Sequence, residues 1–100
     1  MPTAYVTAPV DVADELAELL VEQRLAACVN RTPIRSVYRW DGEIHDDEEV
    51  LLLAKTTDDR YGDLVDRIVE EHPHDVPCVE RFDETDVLGS FAEWRDGVVG

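Results

Sequence analysis

Lysine is almost absent from this sequence: Lys55 is the only one, and the other eight basic residues are arginines. Nine basic residues stand against 24 acidic ones, a formal charge of −15. The chain therefore has no basic face for a phosphate backbone, and anionic bilayers repel it, so neither nucleic acid nor membrane is an expected partner. Cysteine is scarce too. Cys28 and Cys78 lack C-x-x-C spacing, which excludes a zinc knuckle or disulfide framework and leaves both as small apolar side chains on strands. There is no apolar run long enough to cross a bilayer, and Met1-Pro2-Thr3 leads directly into a strand-like stretch, so the expected location is the cytoplasm. G-x-G-x-x-G, the P-loop and H-E-x-x-H are all missing. No nucleophile stands beside a base, and a non-catalytic role is expected.

What is present suffices for a fold. In 100 residues, 44% hydrophobic content supports one core and one domain over 1–100. The acidic residues are dispersed over every predicted element and form no tail. Dispersed carboxylates with almost no lysine read as adaptation to a cytosol full of salt, where about 1 M electrolyte shortens the Debye length to roughly 3 Å.

Ala4–Ala8 reads as a first strand stopped by Pro9. A helix follows, capped by Asp11, with Val12, Leu16, Leu19 and Leu20 on one stripe. Leu25–Val29 is apolar on both faces and reads as a buried central strand, interrupted at Asn30–Pro33 and resuming over Ile34–Trp40. Asp41-Gly42 marks a type I′ turn, and the return strand runs from Glu43 to Thr56, an unusually long hairpin. A second helix begins after Thr57 or Asp58 and places Tyr61, Leu64, Val65, Ile68 and Val69 on one face before Pro73. Val76–Phe82 reads as a fourth strand with Pro77 near its start. A last helix, capped by Asp86 or Ser90, carries Val87, Leu88, Phe91 and Trp94 and stops at Gly97. Right-handed crossovers then give an α+β, ferredoxin-like βαββαβ sandwich with a long central hairpin and a C-terminal helix. One sheet face and the hairpin remain uncovered in a single copy, so a closed homo-oligomer is expected.

Glu71-His72-Pro73-His74-Asp75 gathers two imidazoles and two carboxylates, a nitrogen and oxygen donor set suited to copper(II), nickel(II) or zinc(II). On the residues alone two readings stay open. Extended backbone across Pro73 can direct His72 and His74 to one side; alternatively, His72 caps the preceding helix carbonyls and His74 is simply exposed. The acidic stretch after His45, Asp46–Glu49, alternates faces on a strand and reads as a solvated arm. Cys78 reads as core.

Thr7-Ala8-Pro9, Arg24-Leu25-Ala26-Ala27-Cys28-Val29-Asn30, Tyr38-Arg39-Trp40-Asp41-Gly42-Glu43-Ile44, Lys55-Thr56 and His72-Pro73-His74-Asp75-Val76-Pro77 together resemble the CutA divalent-cation tolerance proteins. The resemblance covers nearly the whole chain. It implies a ferredoxin-like protomer in a homotrimer, hairpins wrapped onto neighbours, and a role in tolerance of copper or other divalent metal ions. It matches His72 to the family's proposed copper ligand. A cysteine that some members place before Thr-Ala-Pro is Val6 here, a histidine before the motif is Glu71, and the motif's usual tyrosine is His74. A thiolate copper site is thereby weakened while a replacement imidazole is offered, giving His72, His74 and Asp75 as expected metal ligands. Trp40, Lys55 and Asp75 match positions associated with the intersubunit cleft. Trp40 and Lys55 are thus the expected ligand-binding residues of an alternative function, a PII-like sensor of an anion or nucleotide, with Lys55 otherwise available for an ion pair with Asp75.

Overall fold

Strict alternation sets the layers. In β1 (Pro2–Pro9), Pro2, Ala4, Val6 and Ala8 are buried on one face while Thr3, Tyr5, Thr7 and Pro9 are half-buried on the other, as a period of two requires. The computed structural model describes residues 1–100. After β1 come α1 (Val10–Glu22), β2 (Cys28–Trp40), β3 (Glu43–Lys55), α2 (Asp58–Glu71), β4 (Val79–Asp83) and α3 (Gly89–Val98). The four strands form one antiparallel sheet in the order β2-β3-β1-β4, the ferredoxin-like α+β arrangement with an added helix. Leu16 and Leu20 of α1 and Leu64 and Ile68 of α2 close over Ala4, Val6, Leu52 and Ala54 on one sheet face. Burying each such leucine or isoleucine contributes about 1.5–3 kcal/mol. No residue of α3 belongs to this core. No helix is long and apolar enough to cross a membrane.

Several local expectations are corrected. Asp11 does not cap α1: the helix starts directly off Pro9 with no side-chain cap, and Asp11 sits in the first turn, where its charge complements the helix dipole. Leu88, rather than Asp86 or Ser90, occupies the cap position of α3. Leu25–Ala27 is buried but lies outside β2, in a connection where Arg24 takes φ 57° and the Leu25 and Ala26 amides donate back to the Leu20 carbonyl. Burial of a tight connection and burial of a central strand give the same apolar run. Pairing of β2 with β3 runs unbroken through Asn30–Pro33, with Pro33 opposite Val50. As β2 is an edge strand, the missing N–H of Pro33 can face outward without losing a ladder bond. Cys28 and Cys78 are half-buried rather than core residues.

The hairpin turn is as read: Asp41 at φ 51° and Gly42 at φ 78°. Pairing of β1 with β3 ends at Pro9 opposite Glu49. Beyond that point Arg35–Trp40 and Glu43–Glu48 project as a two-stranded arm, which helps give the molecule its 45 Å length. Val37 and Ile44 on this arm are 70% and 66% exposed.

Candidate functional site

The helix α2 stops because His72 precedes proline and takes the extended conformation, φ −80° and ψ 132°. Its backbone N–H donates to the Ile68 carbonyl at 2.9 Å. The side chain turns inward and is buried. Its Nε2 lies 2.8 Å from the Thr7 carbonyl and its Nδ1 lies 3.1 Å from the His74 amide nitrogen. An amide only donates and a carbonyl only accepts, so Nδ1 accepts while Nε2–H donates. His72 therefore caps α2 through its backbone N–H, while its ring ties the segment after α2 to β1, and in this conformation neither ring nitrogen has a lone pair free for a metal. His74 is exposed, its ring centroid 4.8 Å from that of His72, and Asp75 beside it is exposed as well.

Between the arm and Pro73–Val76 lies a cleft of about 600 Å³. Tyr38 and Trp40 of β2, Glu49 of β3, His74, Asp75 and Glu80 contribute walls, with Cys78 also at its surface. Tyr38 donates its hydroxyl to Asp47 and stacks on His45, centroids 5.3 Å apart. That hydrogen bond first, then desolvation and the charges of Asp47 and Glu49, hold the phenol above its ordinary pKa. The Cys78 thiol is also pushed up, by desolvation first and by Glu80 and Glu49, against a hydrogen bond with Thr7 that lowers it. A thiol that keeps its proton is a poor metal ligand.

Glu49 was not singled out by sequence reasoning. Its residue is 8% exposed, and its carboxylate has neither a hydrogen-bond nor an ion-pair partner. The acidic run from Asp46 to Glu49 reads as solvated, but Glu49 shares the period-2 phase of Leu51 and Leu53, the signal that places it with them on the sheet face opposite the helices.

Trp40, His74 and Asp75 thus share one cleft, with His72 behind its wall. Lys55 is elsewhere. It pairs with Thr3 and Cys28, its Nζ 3.5 Å from Thr3 Oγ1, whereas Trp40 pairs with Glu43 at the other end of the hairpin. At about 3.3 Å per residue the hairpin separates them by roughly 40 Å within one copy. Lys55 forms no ion pair with Asp75; the hydroxyl of Thr3 is the group its ammonium meets. No group of three or more His, Cys, Asp or Glu is assembled to hold a metal ion.

Residues 3–97 match the family model for the CutA1 divalent ion tolerance protein. The divalent-cation tolerance protein CutA of Pyrococcus horikoshii is 39% identical over 82 residues, covering 82% of this chain and 80% of the relative. The solved CutA1 structure from that organism superposes with a TM-score of 0.95 at 35% identity, covering 100% of this chain and 99% of the other. A structure described as the PII-like protein CutA from Nostoc matches with a TM-score of 0.96 at 30% identity over 100% of this chain and 98% of its own. Another, described as the periplasmic divalent cation tolerance protein CutA from Archaeoglobus fulgidus, gives 0.94 at 32% identity, with full coverage of both at 100%.

Proposed function

Because the chain belongs to the CutA1 divalent ion tolerance family, we propose that it binds copper(II) or a related divalent ion without turnover, as a cytoplasmic homotrimer that sequesters or senses the metal. The observation that carries this reading is the placement of His74 and Asp75: an exposed imidazole and carboxylate, adjacent in sequence, on the wall of an acidic cleft. Imidazole nitrogen with carboxylate oxygen suits divalent copper or zinc. His72, its ring committed to Thr7 and His74, acts here by fixing the backbone that presents His74. Water or a neighbouring copy completes the coordination that one chain leaves short. The trimer is supported by the exposed arm residues Val37 and Ile44 and by the free edges of β2 and β4, which a closed assembly would cover.

Calorimetric titration of copper(II) into the protein, His74→Ala and Asp75→Asn tests the site. Each variant is expected to weaken binding about tenfold, or 1.4 kcal/mol; isotherms that superimpose on the parent's would remove it.

A second reading is favoured by the likeness to the PII-like Nostoc protein. Lys55 has no carboxylate partner and lies on the uncovered sheet face, so in an assembly it can meet an anion beside another copy's arm. Loss of nucleotide or anion binding in Lys55→Ala, with copper binding spared, would establish this reading, whereas retention in the variant would end it.

A further inference from the structure

The last helix stands apart from the rest of the fold. The side chains of the core come from β1, α1, β3, α2 and the connection after α1, and none comes from α3. As a helix, α3 is also weak in its own right. It has ten residues, includes Gly89 and Gly97, and begins after Leu88 with no side-chain cap. Isolated helices shorter than about 12–15 residues are marginal in water, and glycine weakens them further. The helical state of α3 therefore depends on its docking.

That docking rests on few groups. Phe91, Ala92 and Val98 are half-buried, Val99 just beyond the helix is buried, and the Gly100 amide donates to the Arg24 carbonyl at 3.0 Å, in the connection between α1 and β2. Within α3 itself the buried residue is Arg95, 3% exposed. A charge thus occupies the place that α1 and α2 give to leucine and isoleucine. Arg95 Nη1 donates to Glu84 Oε1 at 3.2 Å, in the loop between β4 and α3, and the guanidinium lies 6.0 Å from the Phe91 centroid. Its Nε is buried with no hydrogen-bond partner, although Asp96 Oδ1 is 3.5 Å away. A buried ion pair largely offsets its own desolvation, whereas a buried charge that loses its partner is strongly destabilising.

We propose that α3 is a detachable strap, latched by the Arg95–Glu84 pair, which undocks and melts as one unit while the sheet, α1 and α2 stay folded. Opening of this kind belongs to elements that bury little apolar surface. It withdraws Val99 from its site and frees the Arg24 carbonyl, a conformational step that leaves the 13-residue core untouched. The strap is independent of metal binding at His74 and Asp75, which lie on the segment between α2 and β4.

Amide hydrogen exchange of the full chain in multimolar KCl, read residue by residue through sub-denaturing urea, tests the strap. After correction for intrinsic rates, the amides from Glu93 to Val98 are expected to share one protection, about 100-fold or more below that of Leu64 and Ile68 in α2, with a smaller urea dependence. Protection equal to that of α2, or a gradual decline toward the last residue as in simple fraying, overturns the proposal. Glu84→Gln leaves the guanidinium buried without its charged partner and should speed exchange in α3 about tenfold with α2 unchanged. No change in α3, or an acceleration shared by α2, overturns the latch. Removing both charges in Glu84→Gln/Arg95→Met should slow α3 again relative to Glu84→Gln, because the unpaired buried charge is gone; a double variant as fast as the single one also overturns it. Circular dichroism confirms that each variant folds. Should one fail, the exchange profile of the unaltered chain still decides whether α3 opens apart from the core.

Discussion

His72 has the chemistry of a ligand and the hydrogen bonds of a structural bracket. Its two ring nitrogens join the Thr7 carbonyl of β1 to the His74 amide beyond α2. Truncation removes both bonds, each with a net value of about 1 kcal/mol, and leaves a small cavity with polar walls. His72→Ala is therefore expected to lower unfolding stability by about 2–4 kcal/mol in urea titrations; a change within experimental scatter would show that the bracket contributes nothing. Tyr38 provides a second test at this scale. A phenol that donates to a carboxylate is stabilised in its neutral form, so Asp47→Asn should bring the Tyr38 titration down toward the ordinary tyrosine value. The difference in phenolate absorbance between each background and its Tyr38→Phe counterpart isolates the one residue; a midpoint unmoved by Asp47→Asn would contradict the assigned cause.

The hairpin is the element on which the cleft depends, and its turn is set by backbone geometry alone. A Cβ added at Gly42 would meet no atom within 4 Å, yet the residue sits at φ +78°. Gly42→Ala should consequently cost about 1 kcal/mol through left-handed strain and nothing through packing. At the other side of the sheet, Arg81 of β4 bonds Asp83 and reaches Asp58 at the start of α2. The guanidinium holds the Asp83 carboxyl below its ordinary value. As pH falls the unfolded chain takes up this proton first, so the stabilisation is present above the ordinary carboxylate value of 3.8 and is lost as pH drops through the lowered folded value. The melting temperatures of the parent and Asp83→Asn should differ at neutral pH and converge in acid. A gap that persists in acid would assign the effect to something other than ionisation. Element identity was legible in the sequence because α1, α2, β1 and the Asp41-Gly42 turn each carry their own periodicity or backbone requirement. The place of Leu25–Ala27 was not, since apolar composition reports burial and not the chain direction imposed by Arg24 at φ 57°. The cleft was legible in part: His74, Asp75 and Trp40 meet there, but Glu49 was concealed in an acidic run and Lys55 lies at the far end of a strand, a distance only the register reveals.

At the scale of the molecule, a net charge of −15 is confined to a body 45 by 26 by 20 Å. In about 0.01 M salt the Debye length is roughly 30 Å, longer than two of these dimensions, so nearly every carboxylate repels every other. Near 1 M it shrinks to about 3 Å, and only contacts such as Arg31–Asp14 or Arg81–Asp58 still interact as pairs. The core opposing this repulsion comprises 13 buried apolar side chains, and the uncovered sheet face adds to it only if a second copy closes over it. Dialysis from multimolar KCl to low salt should therefore reduce helical circular dichroism and the light-scattering mass together. Repulsion as the cause is separated from other salt effects by Glu15→Gln/Glu18→Gln/Glu22→Gln, on the outer side of α1, which brings the net charge from −15 to −12 without touching the core. That variant should keep its structure to a lower salt concentration than the parent. A parent that stays folded across the whole range, or a variant whose salt midpoint is unchanged, would mean that dispersed charge does not govern the stability of this fold.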